Sequence, residues 1–197
     1  MTSGTFGVAT GAGDTPRLPL AHDLDRADAD SAVELWRSCN LTRPWNDPVA
    51  DFLRAVDGPA STVLGLRFGV DIAGIAGAAD TSGIAGTAGV ADDRGGVPGS
   101  DGCSLPAEIS PEVVATVMVG HDGHRGWIYY VAVAPNLRGR GLGHALVDAA
   151  EEWLRERGIP KVMLMVRAAN TQVLDFYEEQ GFGRSTSVVM ERWLDRP

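Results

Sequence analysis

Arg138-Gly139-Arg140-Gly141-Leu142-Gly143 sets two guanidinium groups among glycines that recur at every second position. Glycine lets backbone N–H groups approach a bulky anion with no side chain between them. Successive N–H groups at a helix entry form a ready anion-binding concavity. The flanking residues supply that entry. Trp127 to Ala134 is an apolar, aromatic and β-branched run ended by Pro135, the pattern of a buried strand. Beyond the glycines, Leu142, Leu146, Ala149 and Trp153 recur at helical spacing, and Ala145 and Leu154 widen the stripe. Strand, glycine turn and helix predict a phosphate-bearing ligand.

Two common phosphate loops do not fit. A P-loop ends in Gly-Lys-Ser/Thr, and the only lysine of this chain is Lys161. A dinucleotide fingerprint starting at Gly139 would need a glycine where His144 stands. The spacing Arg138, Gly141, Gly143 reads R-x-x-G-x-G and resembles the pyrophosphate signature of the GNAT family of acetyl-CoA-dependent N-acetyltransferases. A second segment, "VRAANTQVLDFYEEQGF", resembles the stretch of that family that carries Asn170, then Tyr177 and Gly181-Phe182.

The resemblance implies acetyl-CoA as cosubstrate. Arg138, Gly139, Arg140, Gly141, Leu142 and Gly143 would hold its pyrophosphate. Backbone amides of Val131, Ala132 and Val133 would pair with the pantetheine arm, in a gap where the central strand splays from its neighbour. Asn170 would cap its helix and bind a pantetheine amide. Tyr177 would return a proton to the departing thiol, since a phenol near pKa 10 suits that task; alternatively its ring packs the helix onto the sheet.

The acceptor side is read from two loops. "RPWNDP" (Arg43 to Pro48) and "GHDGHRG" (Gly120 to Gly126) resemble the YpeA-like branch of that family. By that resemblance Arg43, Trp45 and Asn46 border the acceptor, and His121, Asp122 and His124 are candidates for handling its proton. Tyr129 and Tyr130 on the strand are further acceptor-site candidates, and either of them holding a water, or solvent alone, is the alternative route for the proton. The plainer alternatives are a helix connection with Trp45 plugging the core, and a polar hairpin turn. Trp127 to Ala134 carries no carboxylate, so a glutamate base on that strand is excluded. His-x-x-His in a glycine loop lacks the helical i, i+4 spacing of a zinc site, and no metal is expected.

Around these motifs the expected order is β-α-α-β-β-β-α-β-α-β, an α/β (mixed α+β) GNAT fold with helices on both faces of a mixed sheet. The strands are expected at 17–21, 61–68, 112–120, 127–134 and 161–167, with a final strand or strand pair over 185–194. Residues 1–14 are small and polar and are expected to be disordered. From Gly69 to Pro111 the chain holds ten glycines, eight alanines and no aromatic residue, so it is read as a disordered insertion at a hairpin tip. The rest, 15–197, is expected to form one domain.

A net charge of −9 argues against sequence-independent binding of nucleic acid or an anionic membrane surface. It also requires Arg138, Arg140 and a helix N-terminus to create a local positive field for an anionic cosubstrate. Two cysteines, Cys39 and Cys103, make no disulfide framework. No signal-peptide pattern is present at the N-terminus, and a cytoplasmic location is expected. The resemblance further implies that a homodimer is a common state. The expected function is transfer of acetyl from acetyl-CoA to a primary amine, a small molecule or a protein N-terminus. The alternative is a non-catalytic module of the same fold that binds acetyl-CoA.

Overall fold

The computed structural model describes residues 21–69, 71–72 and 112–194. Five strands form one sheet in the order β1 (His22–Asp23), β2 (Ser61–Arg67), β3 (Val113–His121), β4 (Gly126–Val133) and β5 (Val162–Leu164). Neighbours are antiparallel up to β4, and β4 pairs with β5 in parallel. Helices α1 (Ala29–Ser38) and α2 (Pro48–Asp57) pack on one face. Helix α3 (Leu142–Glu156) covers the other, joined by α4 (Thr171–Glu179). The sheet therefore separates two apolar clusters. Val117, Val119, Ile128, Val131 and Val133 face α3 and α4, whereas Val63, Val113 and Ala132 face α1 and α2.

Local sequence explains where the helices start. Asp47 accepts the N–H groups of Val49 and Ala50 at 3.0 and 3.1 Å, with Pro48 in the first turn of α2. Before α1, Asp25 and Asp28 build a capping box around a 3-10 turn, Arg26–Asp28. Asp28 then precedes α1 without capping it, because its carboxylate is taken by Arg67 at 2.8 Å. Gly65 is required where β1 leaves the sheet: a Cβ there would lie 2.7 Å from a Leu24 methyl.

Strand β4 changes phase midway. Thr116 pairs with Ala132 but Met118 pairs with Tyr129, so β4 carries one extra residue opposite β3. The bulge falls at Tyr130, whose φ of +49° is unusual for a bulky side chain. Pairing with β5 stops just before it, at Ile128 with Leu164, and β4 continues to Val133 paired with β3 alone. Strands β4 and β5 thus separate, as the fold class requires of its central pair.

Three expected elements differ. The first strand is His22–Asp23; residues 17–20 of the expected one lie outside the described residues, and Ala21 precedes the strand. β5 is three residues long, because beyond Leu164 its partner has turned away at the bulge. Residues 185–194 form no strand: Val188, Val189, Met190 and Leu194 are exposed and pair with no neighbour in the sheet. Thr186, Val188, Val189 and Trp193 give the run strand propensity, but propensity needs an apolar surface to pack on. The expected disordered tail at 1–14 lies outside the described residues, as does the insertion apart from its first residues. Its flanks are closed: Arg67 pairs with Val113, and Phe68 N–H donates to Glu112 C=O at 2.8 Å. Asp71 and Ile72 belong to the fold, Asp71 accepting Arg67 N–H at 2.7 Å and Ile72 being buried.

Candidate active site

The glycine turn stands where β4 ends. Gly139 and Gly141 have φ of +71° and +75°, and Gly141 is the residue that opens α3. An L side chain at either position would meet the left-handed penalty of about 1–2 kcal/mol. Ala145 N–H makes the first helical bond back to Gly141 C=O at 3.1 Å, so the N–H groups just after Gly141 have no partner four residues back. The first turns of α1 and α2 carry Asp30 and Asp51, whereas the first turn of α3 carries no acid. Its positive end is therefore not neutralised by its own sequence. These features suit a phosphate-bearing anion.

Arg138 does not extend straight into that concavity. Its Nε donates to Val133 C=O at 3.2 Å and its Nη2 to Cys39 Sγ at 3.5 Å, while Cys39 donates to the same carbonyl at 3.4 Å. Arg138 therefore ties the glycine turn to the end of β4. The backbone phase of β4 is inverted by the bulge. Gly126 N–H points to β5, donating to Lys161 C=O at 2.8 Å, but Ala134 N–H points to β3, donating to Val114 C=O at 2.8 Å. By strand alternation the amides of Val131 and Val133 face the gap beyond β5, and that of Ala132 faces β3. This narrows the expected trio to two.

The bulge also sets both tyrosines on one face. Tyr129 and Tyr130 line a cleft of about 550 Å³ with Asn46, Asp51, His121 and Asp122. Tyr130 stacks on Trp36, with centroids 4.0 Å apart and planes at 15°, and its Oη donates to Asp51 Oδ2 at 3.0 Å. Burial first and the Asp51 charge second push the Tyr130 phenol up to about 12, against a hydrogen bond from Asn46 and the nearby Arg43 charge. Burial alone raises Tyr129. Trp127 lies parallel to Tyr129 at 6.5 Å and completes an aromatic wall.

The predicted residues divide. Asn46, Tyr129, Tyr130, His121 and Asp122 meet in this cleft, and Arg43 stands within electrostatic reach of Tyr130. Trp45 is half-exposed and does not plug the core. His124 lies in the exposed turn and is not part of the cleft wall. Asp122 Oδ1 takes the N–H groups of Arg125 and His124 at 2.6 and 2.8 Å, which lowers its pKa and weakens it as a base. His121 Nδ1 accepts Gly123 N–H at 3.2 Å, occupying the lone pair a base would use. Both side chains are thereby spent on the turn. Asp51 is the carboxylate that the sequence reading missed. Its signal was a helical offset: Asp51 lies one turn after Asp47, on the α2 surface that meets the sheet.

Asn170 precedes α4, but its side chain makes no capping hydrogen bond, contrary to expectation; its backbone carbonyl accepts Leu174 N–H at 3.1 Å. Tyr177 is buried on α4 between Phe176 and Phe182, with ring centroids 4.9 and 5.4 Å away. Its hydroxyl is enclosed and makes no hydrogen bond among the described residues. Burial raises its pKa strongly. The ring borders a groove of about 360 Å³ along β5, with Leu164, Val166 and Phe182. Among the described residues no three acidic, histidine or cysteine side chains converge on a metal site, and no helix is long and apolar enough to cross a membrane.

The family model described as "Acetyltransferase (GNAT) family" matches residues 83–182, including the glycine turn and Tyr177. The chain belongs to the GNAT acetyltransferase family. A curated relative, Acetyltransferase SG1711 of Sodalis glossinidius (strain morsitans), is 32% identical over 163 residues, covering 83% of this chain and 86% of the relative. The fold is similar to glucosamine-6-phosphate N-acetyltransferase from Arabidopsis thaliana, at TM-score 0.54 and 17% identity over 89% of this chain and 97% of that one. It is also similar to AAC(6')-Iy in complex with a bisubstrate analogue, CoA-S-monomethyl-acetylneamine, at TM-score 0.57 and 12% identity, over 88% and 96% of the two chains. As a GNAT acetyltransferase this protein is an acyltransferase, and the family uses acetyl-CoA as cosubstrate.

Proposed function

We propose that this GNAT protein transfers acetyl from acetyl-CoA to a primary amine by direct attack within a ternary complex. The observation that carries this reading is the bulge at Tyr130. It opens β4 from β5 on the cofactor side and sets two tyrosines into a separate cleft on the acceptor side, so two substrates can meet at one strand.

Gly139 to Gly143 and the N-terminus of α3 hold the diphosphate, and Arg140 adds positive charge to it. Val131 and Val133 offer amides to the pantetheine arm. Negative charge that grows on the thioester oxygen is met by one of these N–H groups. On the other side, the Asp51 carboxylate and the aromatic faces of Trp127, Tyr129 and Tyr130 suit an ammonium. An alkylamine must lose a proton before it can attack. With His121 and Asp122 engaged in their turn, that proton passes to water in the open cleft. The N–C bond then forms as the C–S bond breaks, and Tyr177 supplies the proton that the thiolate needs. Burial keeps the phenol protonated before the thiolate departs, and at the same time makes it a weaker acid than a free phenol.

Release of free thiol from acetyl-CoA, followed across diamines, amino acids, aminoglycosides and N-terminal peptides, tests the reading. Acceptor-dependent thiol release supports it. Acetyl-CoA binding with no turnover on any amine would make the protein a binding module instead.

A further inference from the structure

The bulge at Tyr130 is held from the acceptor side by side chains outside the family's motifs. Trp36 on α1 donates its indole N–H to Thr116 Oγ1 at 2.9 Å, and Thr116 donates that hydroxyl to Tyr130 C=O at 3.2 Å. The Trp36 ring lies parallel to the Tyr130 ring, 4.0 Å away. Thr116 and Trp36 are both fully buried, and Thr116 sits where the register of β3 against β4 slips. Two contacts, tied to each other by the indole–hydroxyl bond, thus close on a residue whose left-handed backbone costs free energy. A bulky residue stays there when its surroundings over-determine it.

The bulge decides which amides reach the cofactor gap. Before it, Gly126 N–H faces β5; after it, Ala134 N–H faces β3, though both positions are even-numbered. With the extra residue the odd positions, Val131 and Val133, turn their amides to the gap. A regular strand would present Tyr130 and Ala132 there, and would drive Val131 and Val133 out of the α3 cluster. Val133 C=O is also the anchor that Arg138 uses to register the glycine turn on β4.

We infer that Trp36 and Thr116 are positioning residues for acetyl-CoA, acting through Tyr130 to set the amide phase of β4. The inference rests on the proposed function, because it presumes that the gap beyond β5 receives the cosubstrate. It links helix α1, on the acceptor face, to the binding of the other substrate.

The test is calorimetric titration of the full-length protein with acetyl-CoA, for wild type, Thr116→Val, Thr116→Ser and Trp36→Phe. Valine keeps the shape of threonine and removes the hydroxyl that bridges indole and carbonyl. The expected result is affinity weakened at least about tenfold in Thr116→Val, the scale of leaving two buried polar groups unpaired. Thr116→Ser, which keeps the hydroxyl, should return to within about threefold of wild type, since the same bonds can form. Trp36→Phe keeps an aromatic ring for stacking and deletes the donor, and should fall between. A merely structural role would lower the melting temperature of Thr116→Val while the folded protein bound acetyl-CoA as tightly as wild type. That result, or no rescue by serine, overturns the inference, as would loss of the fold in both Thr116→Val and Trp36→Phe. Failure of the wild-type protein to bind acetyl-CoA would overturn the functional reading itself, and this inference with it.

Discussion

Tyr130 Oη donates to Asp51 Oδ2 at 3.0 Å, joining the bulge of β4 to the first turn of α2 across the cleft. Arg54 holds the other oxygen of the same carboxylate at 2.7 Å. Seventy-nine residues separate Tyr130 from Asp51, yet the pair sets the charge and the wall of one cleft.

That pair makes the alkaline behaviour predictable. Burial and Asp51 push Tyr130 up to about 12, and burial also raises Tyr177. In the unfolded chain both ionise near about pH 10. The folded state therefore keeps protons that the unfolded state loses, and stability falls as pH rises above about 10. Below that pH the contribution is fully present. Melting temperatures should hold steady from about pH 8 to 10 and decline above, less so in Tyr177→Phe. Absorbance titration of Asp51→Asn should show Tyr130 ionising at lower pH than in wild type. An unchanged tyrosine titration would mean that the carboxylate exerts no field at the phenol.

Gly141→Val should weaken acetyl-CoA binding while the domain still folds. The substitution puts a β-branched residue at φ +75° and a side chain against the N-terminus of α3. The backbone cost is about 1–2 kcal/mol or more, within the stability of a typical domain. Calorimetry on the folded variant checks it, and unchanged affinity would move the diphosphate elsewhere.

Tyr177→Phe separates two roles by opposite signs. Its hydroxyl is buried without a hydrogen-bond partner among the described residues, a situation that costs about 1–3 kcal/mol. Phenylalanine should therefore leave the melting temperature unchanged or raise it. If the phenol protonates the leaving thiolate, the single-turnover rate should fall by about 10²–10⁴-fold. Stability preserved with the rate lost marks an acid. Stability preserved with less than about a threefold rate change returns the ring to packing.

Replacing residues 73–110 with Asn-Gly should preserve the hairpin, because Arg67 with Val113 and Phe68 with Glu112 already close its ends. Loop closure changes by only about 0.6 kcal/mol per doubling of length, so the stability should not fall. Extending the deletion to Asp71 and Ile72 should cost about 1–3 kcal/mol, the burial of one isoleucine side chain. Chemical denaturation of the two deletions gives the comparison, and equal stabilities would show that Ile72 contributes nothing.

Much of the fold was legible because its signals are local. The helical stripe Leu142, Leu146, Trp153 marks α3. The glycine turn could be placed because its residue types answer to backbone geometry over a few residues. Elements that depend on a distant partner were misjudged. The length of β5 follows from where β4 turns away, and the run at 185–194 has strand composition without a surface to pair with.

The sequence by itself determined the glycine turn ahead of α3, the α/β order as far as α4 and the family, since each is written in contiguous spacing. Only the tertiary structure decided that Asp51 shares a cleft with Tyr130, that His121 and Asp122 are spent on their own turn, and that Val131 and Val133 rather than Ala132 face the gap. The reason is the bulge. One extra residue in β4 reverses the alternation that a sequence reader extrapolates, and what holds that residue is Trp36 and Thr116, contacts made across some eighty residues of chain.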